Sequence, residues 1–194
     1  MISKKLASMA LFGAVGCMLT GCMPDMTLEE MKTWMDENVQ RPAELDRLDQ
    51  FVGNWTGEGE ACFSGKDERK LKMTGSSSIR WGGDGWYLIE EFDGRMEIFG
   101  KHVGHTIWTY DEGANCYRTS WFGNDGAVGN GTVRYDKKND QWNMTGKTKT
   151  AMGDMHGKGT MRFTDKDTME WCWAEYDGLG ITKMADMCGT MRRK

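Results

Sequence analysis

Three histidines, six cysteines and a scatter of carboxylates are the side chains here that could do chemistry, and their spacing limits what each can do. His102 and His105 stand three apart in His-Val-Gly-His, which puts them on opposite faces of a strand. One ion could reach both only across a bulge at Gly104, so a turn histidine and a strand histidine are expected instead. His156 lies close to Met152 and Met155, and Met184 and Met187 follow later. Thioether and imidazole donors suit Cu(I). With 17 methionines in the chain, however, lining a core or cavity is their expected use. Glu90 and Glu91 are adjacent and so face opposite sides of a strand, which excludes a carboxylate pair across one substrate. One of them can point inward, where an ion pair with Arg80 or Arg118 is expected. An inward carboxylate with a raised pKa would be a general-acid candidate. Cys116 and His105 have no spacing that makes them nucleophile and base. There is no Gly-x-Ser-x-Gly elbow, phosphate loop or nucleotide fingerprint. No catalytic residue, metal site or cofactor is expected.

Nine tryptophans are the strongest sign of a binding surface. Trp171 and Trp173 are two apart and share a strand face. Together with Trp86 and Trp121 they are the candidates to stack on a flat or apolar ligand. The alternative is that they fill a core.

These side chains must be positioned by mostly extended chain. Glycine is abundant at 26 residues and proline scarce at 2, a balance that suits strands joined by tight turns. The first residues form a leader: Lys4 and Lys5, an apolar run from Leu6 to Leu19, then Leu19-Thr20-Gly21-Cys22. The run is too short for a membrane span and has the form of a secretory signal. The division expected is signal peptide 1–21, tether and short helix 22–44, and barrel domain 45–194. Thr27-Leu28-Glu29-Glu30 is a capping box. It is followed by Leu28, Met31, Trp34 and Met35 at helical spacing, and a second short helix is expected from Pro42 to Gln50. From Phe51 on, strands of six to ten residues alternate with polar turns. Clear examples are Trp86–Phe92, His105–Tyr110 and Cys116–Phe122. A hairpin pattern recurs: Tyr110-Asp111 before Tyr117, Tyr135-Asp136 before Trp142, and Phe163-Thr164-Asp165 before Trp171. About ten strands predict an all-β fold, a roughly ten-stranded antiparallel up-and-down barrel, with a sandwich as the alternative. The formal charge of −4, and the absence of any basic patch beyond Arg192-Arg193-Lys194, exclude nucleic acid as a partner.

Leu-Thr-Gly-Cys resembles the bacterial lipobox. By that resemblance Cys22 is the lipidation site, acylated after cleavage behind Gly21, and the protein is anchored in the cell envelope. Met23 in place of aspartate favours the outer membrane, facing the periplasm. In an oxidising compartment Cys62, Cys116, Cys172 and Cys188 are disulfide candidates with three pairings open. Up to two bridges are expected, with buried free thiols as the alternative.

Gly53-Asn54-Trp55-Thr56-Gly57-Glu58-Gly59, preceded by a short helix, is similar to the opening of lipocalin-like (calycin) barrels. With Trp86–Phe92, Tyr110-Asp111, Ser120-Trp121 and Met191–Lys194 it resembles the bacterial domain-of-unknown-function family fifteen seventy-nine over residues 45–194. The resemblance implies a closed barrel with an internal cavity. Gly53, Trp55, Gly57 and Gly59 are expected to be structural, Trp55 plugging one end. Nitrobindin, a similar ten-stranded barrel, binds haem through one histidine, and the same glycine–tryptophan opening raises that reading here. The expected function is binding of a small apolar or amphipathic ligand by a membrane-anchored, non-enzymatic lipoprotein. The alternatives are an envelope protein with a packed barrel that acts through its surface, or a haem or copper protein or an enzyme. Protein partners are left open by the sequence.

Overall fold

The computed structural model describes residues 26–64 and 69–194. The leader, Cys17 and Cys22 lie outside them. Thr27 caps α1 (Leu28–Asn38) through the expected box: its hydroxyl accepts from the Glu30 amide at 3.2 Å, and its own amide donates to the Glu30 carboxylate at 2.8 Å. α1 buries none of its residues, and Leu28 and Met35 are exposed. No helix among the described residues is long and apolar enough to cross a membrane.

The second helix is a 3₁₀ helix, Ala43–Phe51. Its apolar residues Leu45, Leu48 and Phe51 recur every three residues, and three residues per turn is the winding that puts all of them on one side. All three are buried.

Ten strands follow: β1 (Gly53–Phe63), β2 (Lys70–Gly82), β3 (Tyr87–Met96), β4 (Gly100–Asp111), β5 (Cys116–Gly123), β6 (Val128–Asp136), β7 (Gln141–Thr150), β8 (Gly153–Asp165), β9 (Thr168–Tyr176) and β10 (Lys183–Arg193). Each pairs antiparallel with the next, and β10 returns to β1, closing the barrel with no free edge. This is the up-and-down barrel that the strand count predicts. The register pairs Trp55 with Arg193 and Gly57 with Met191 across the closing seam.

One end of the barrel is sealed by the 3₁₀ helix. Phe51 meets Trp142 and Phe163 edge-on, each at 5.1 Å between ring centroids, and stacks on Trp108 at 5.7 Å. The aromatic residues of the recurring hairpin pattern line this end: Tyr110 packs on Tyr117, and Tyr135 on Trp142. Trp55 is buried and donates its indole N–H to the Phe51 carbonyl at 2.8 Å. Arg193 lies 4.2 Å over the Trp55 ring and donates to the carbonyls of Gln50, Val52 and Lys166 and to the Asp167 carboxylate. Trp55 is therefore part of the packed layer that closes this end. Gly53, at φ +137°, gives Arg193 its room: a methyl group there would lie 2.5 Å from the guanidinium.

Candidate functional site: the barrel lumen

Side chains of a strand alternate between the two faces of the wall, so every second residue shares the inner face with a buried residue. Counting from Leu88 puts Glu90 and Phe92 inside. From Trp108 the count reaches Thr106, Gly104 and His102, and from Trp142 it reaches Met144 and Gly146. From Met169 it passes Trp171 and Trp173 to Glu175. At the helix-sealed end Trp55, Ile79, Leu88, Trp142, Met161 and Met169 are buried and Trp108, Tyr110, Tyr135 and Phe163 partly so; at the opposite end Ala61, Leu71 and Ala185, on β1, β2 and β10, are buried too. In that opposite half, Phe92, His102, Trp121, Met144, Trp171, Trp173 and Glu175 are half-buried although they face inward. The lumen is therefore open to solvent at the end away from the helix.

Glycines thin the wall of this half. Gly57 and Gly59 of β1, Gly129 and Gly131 of β6, and Gly157 and Gly159 of β8 all face inward. Several glycines of this half have an aromatic ring packed close against the backbone. A methyl group at Gly157 would lie 1.9 Å from Trp173 Cζ2, one at Gly104 would lie 2.1 Å from Trp121 Cη2, and one at Gly94 would lie 2.3 Å from Phe92 Cζ. Only glycine admits such an approach. The rings thus lie over the glycines of the lumen wall, Trp121 with His102 stacked on it.

The floor of the lumen is polar. Glu90 faces the lumen and is half-buried. Ser77 Oγ donates to its carboxylate at 2.8 Å, and Thr106 and Trp108 also hydrogen-bond to it. Burial pushes the Glu90 pKa up, and those three hydrogen bonds oppose the rise. Nearer the mouth, burial also raises Glu175, against a hydrogen bond from Trp173 and the charge of His102. The expected ion pair belongs to the neighbouring residue: Glu91 faces outward and meets Arg80 at 3.0 Å. Arg118 is also outside, paired with Asp111 at 3.0 Å. Glu90 is left without a cation.

Three of the four candidate tryptophans converge: Trp121, Trp171 and Trp173 line the lumen. Trp86 does not join them. β3 begins one residue later, and Trp86 turns in helical φ/ψ at the end of the Gly83–Gly85 turn, 37% exposed at the sealed end. Gly57 and Gly59 serve the wall, with methyl groups there meeting the Met191 sulfur at 2.1 Å and the Cys188 carbonyl at 2.4 Å. Cys172 and Cys188 are directly opposite on β9 and β10 and form a disulfide on the outer wall. Cys62 and Cys116 are free. The continuous β3–β4 register leaves no bulge at Gly104, so His102 faces the lumen and His105 the exterior. Ser77, Thr106 and Glu175 were not singled out from the sequence, although counting in twos from the neighbouring large apolar residues finds each of them.

The histidines do not assemble a metal or haem centre. His156 faces outward, opposite Tyr176, while Met155 faces in, so the thioether and imidazole donors are split between two faces. Among the described residues no three His, Cys, Asp or Glu side chains converge. The inward imidazole, His102, lies on Trp121 with centroids 5.6 Å apart and planes at 26°. Haem would need that ring free and cations for its propionates. The inward Arg193 is committed at the sealed end, so the lumen does not suit haem.

The mouth has an apolar rim. Ile98 and Phe99 in the β3–β4 turn, Met152 in the β7–β8 turn, and Leu179 and Ile181 between β9 and β10 are all exposed, Met152 at 90% and Leu179 at 80%. Phe99 packs against Phe63 at the end of β1. Two shallow depressions lie on the outer wall. One, of about 440 Å³, is lined by Thr74, Asp93, Arg95 and Lys101; the other, of about 460 Å³, lies beside the disulfide. Neither holds a convergent set of reactive groups.

A sequence model of the family described as "Protein of unknown function (DUF1579)" matches residues 40–177. No curated protein matches the chain. The structure is similar to that of Rv2717c from M. tuberculosis, at 14% identity over 80% of this chain and 99% of that one, with a TM-score of 0.58. It is also similar to the S-type phycobiliprotein lyase CPES from Guillardia theta, at 11% identity over 79% of this chain and 94% of that one, with a TM-score of 0.54. At these identities the likeness is one of fold.

Proposed function

The chain belongs to the DUF1579 family, and from its barrel we propose that it holds a small apolar or amphipathic molecule in the lumen without transforming it. One observation carries this reading: seven large inward side chains, Phe92, His102, Trp121, Met144, Trp171, Trp173 and Glu175, keep contact with solvent toward the mouth although they face the interior, as the lining of a container would. The glycine-thinned wall supports it, because those positions contribute nothing to fill the space. At the floor Glu90 is met by the Ser77 and Thr106 hydroxyls and the Trp108 indole, with no histidine, second carboxyl or cation among these partners, which fits a holding role. The same fold serves a phycobiliprotein lyase.

The container is proposed to stand at a bacterial membrane, anchored through acylated Cys22 on the periplasmic side of the outer membrane. Several acyl chains hold where one is marginal. The exposed rim of Ile98, Phe99, Met152, Leu179 and Ile181 suits a mouth that is loaded from an apolar source.

Native mass spectrometry of the full chain, released from mild detergent, tests the reading. A reproducible non-covalent adduct is expected. A bare mass after incubation with a total lipid extract would overturn it. The same rim favours the second reading in that event: an envelope protein that acts through its surface.

A further inference from the structure

The charges inside the lumen are unbalanced. On the inner face of the ten strands stand two carboxyl groups, Glu90 and Glu175, and one imidazole, His102. Every strand lysine among the described residues faces outward. The single inward guanidinium, Arg193, is held on Trp55 and on backbone carbonyls at the sealed end. A lumen built for a carboxylate or phosphate would present a free cation to it. This one presents acids and indole faces.

We propose that the ligand is cationic: a flat or amphipathic amine or quaternary ammonium, its positive group held between the two carboxyl groups and the faces of Trp121 and Trp173. This rests on the container reading and narrows it. Positive groups are drawn to the faces of aromatic rings, most strongly where water is excluded. Hydrogen bonding to Trp108 and Trp173 keeps both acids beside indole rings. Glu90 is a half-buried acid with no counter-charge, and a cation would supply one. Because burial raises both acids, a bound cation favours their ionised forms and binding releases protons. The groups that bear on this are Ser77 on β2 and Thr106 and Trp108 on β4 around Glu90, with Trp173 on β9 and His102 on β4 near Glu175. Affinity therefore rises with pH as the two acids ionise.

The test uses the full chain in lipid nanodiscs, with empty nanodiscs subtracted, and two probes of similar size: thioflavin T, a flat cation, and anilinonaphthalene sulfonate, an anion. Thioflavin T is expected to bind about tenfold or more tighter than the anion. Its affinity should increase with pH, because burial holds both carboxyl groups above the ordinary carboxylate range and the cation favours their ionised forms. Glu90→Gln and Glu175→Gln should each weaken it severalfold and together remove the preference. Glu91→Gln, on the outer wall, should leave it unchanged. Glu175 stands near the open mouth, so its variant answers the question even if Glu90→Gln fails to fold. Anion binding equal to or tighter than cation binding would overturn the charge assignment and leave the container standing. Binding of neither probe, together with a bare native mass, would overturn both.

Discussion

Arg193 joins three parts of the molecule through one side chain: the Trp55 ring, the end of the 3₁₀ helix and the β8–β9 turn. Its planar fork reaches several acceptors at once, which an ammonium cannot do. Arg193→Lys is expected to lose about 2 kcal/mol, measured by urea unfolding, since hydrogen bonds to charged groups are worth about 1.5–3 kcal/mol each. Glu90 acts in the opposite sense. Its raised pKa means that the folded state holds a proton which the unfolded chain gives up sooner. Stability is therefore fully present below the ordinary carboxyl pKa and falls as pH rises through the folded value. Thermal melts between about pH 4 and pH 9 should show the wild type losing Tm toward high pH. Glu90→Gln should flatten that slope, gaining about 2–4 °C at alkaline pH for each kcal/mol of penalty removed.

Among the elements, the β9–β10 hairpin is pinned by Cys172–Cys188 across 16 residues. Replacing both cysteines by serine should cost about 3 kcal/mol, the loop-closure value for a ring of that length. Comparing Tm with and without reductant checks it. Gly157→Ala drives a methyl group into the Trp173 ring, and a loss of about 1–3 kcal/mol is expected. A changed near-ultraviolet circular dichroism signal would report the displaced indole. The strands themselves were legible: alternation and polar turns predicted ten, and Tyr110, Tyr135 and Phe163 marked the hairpins whose aromatics seal one end. The 3₁₀ helix was read almost to its boundaries. What local pattern could not supply was phase. Whether Glu90 or Glu91 faces inward depends on which neighbour is buried, and adjacent residues look alike until one strand is anchored. The disulfide needed register, because Cys172 and Cys188 meet only if the hairpin pairs them directly. Trp86 was misread because a tryptophan beginning a strand and one ending a turn have the same sequence neighbours.

At the scale of the whole molecule the barrel is polarised, with a packed aromatic end under the 3₁₀ helix and, beneath an apolar rim, a glycine-walled end where large inward side chains are only half-buried. If that rim faces lipid, Phe99→Asp combined with Leu179→Asp should reduce co-sedimentation of the chain with vesicles severalfold while leaving its Tm within a few degrees, since exposed positions away from the core shift stability by only about 0.5 kcal/mol. Unchanged sedimentation would remove the rim from the membrane. The closing seam also sets an order of events in synthesis. Arg193 bonds to Val52, 141 residues earlier in the chain, and β10 is the only partner that β1 has on that side. Until the last dozen residues emerge, β1 is an uncovered edge and the aromatic plug has no lid. Contacts of such sequence separation form slowly, so the barrel closes only after β10 has been made. Loss of a few terminal residues would then leave an open, aggregation-prone sheet.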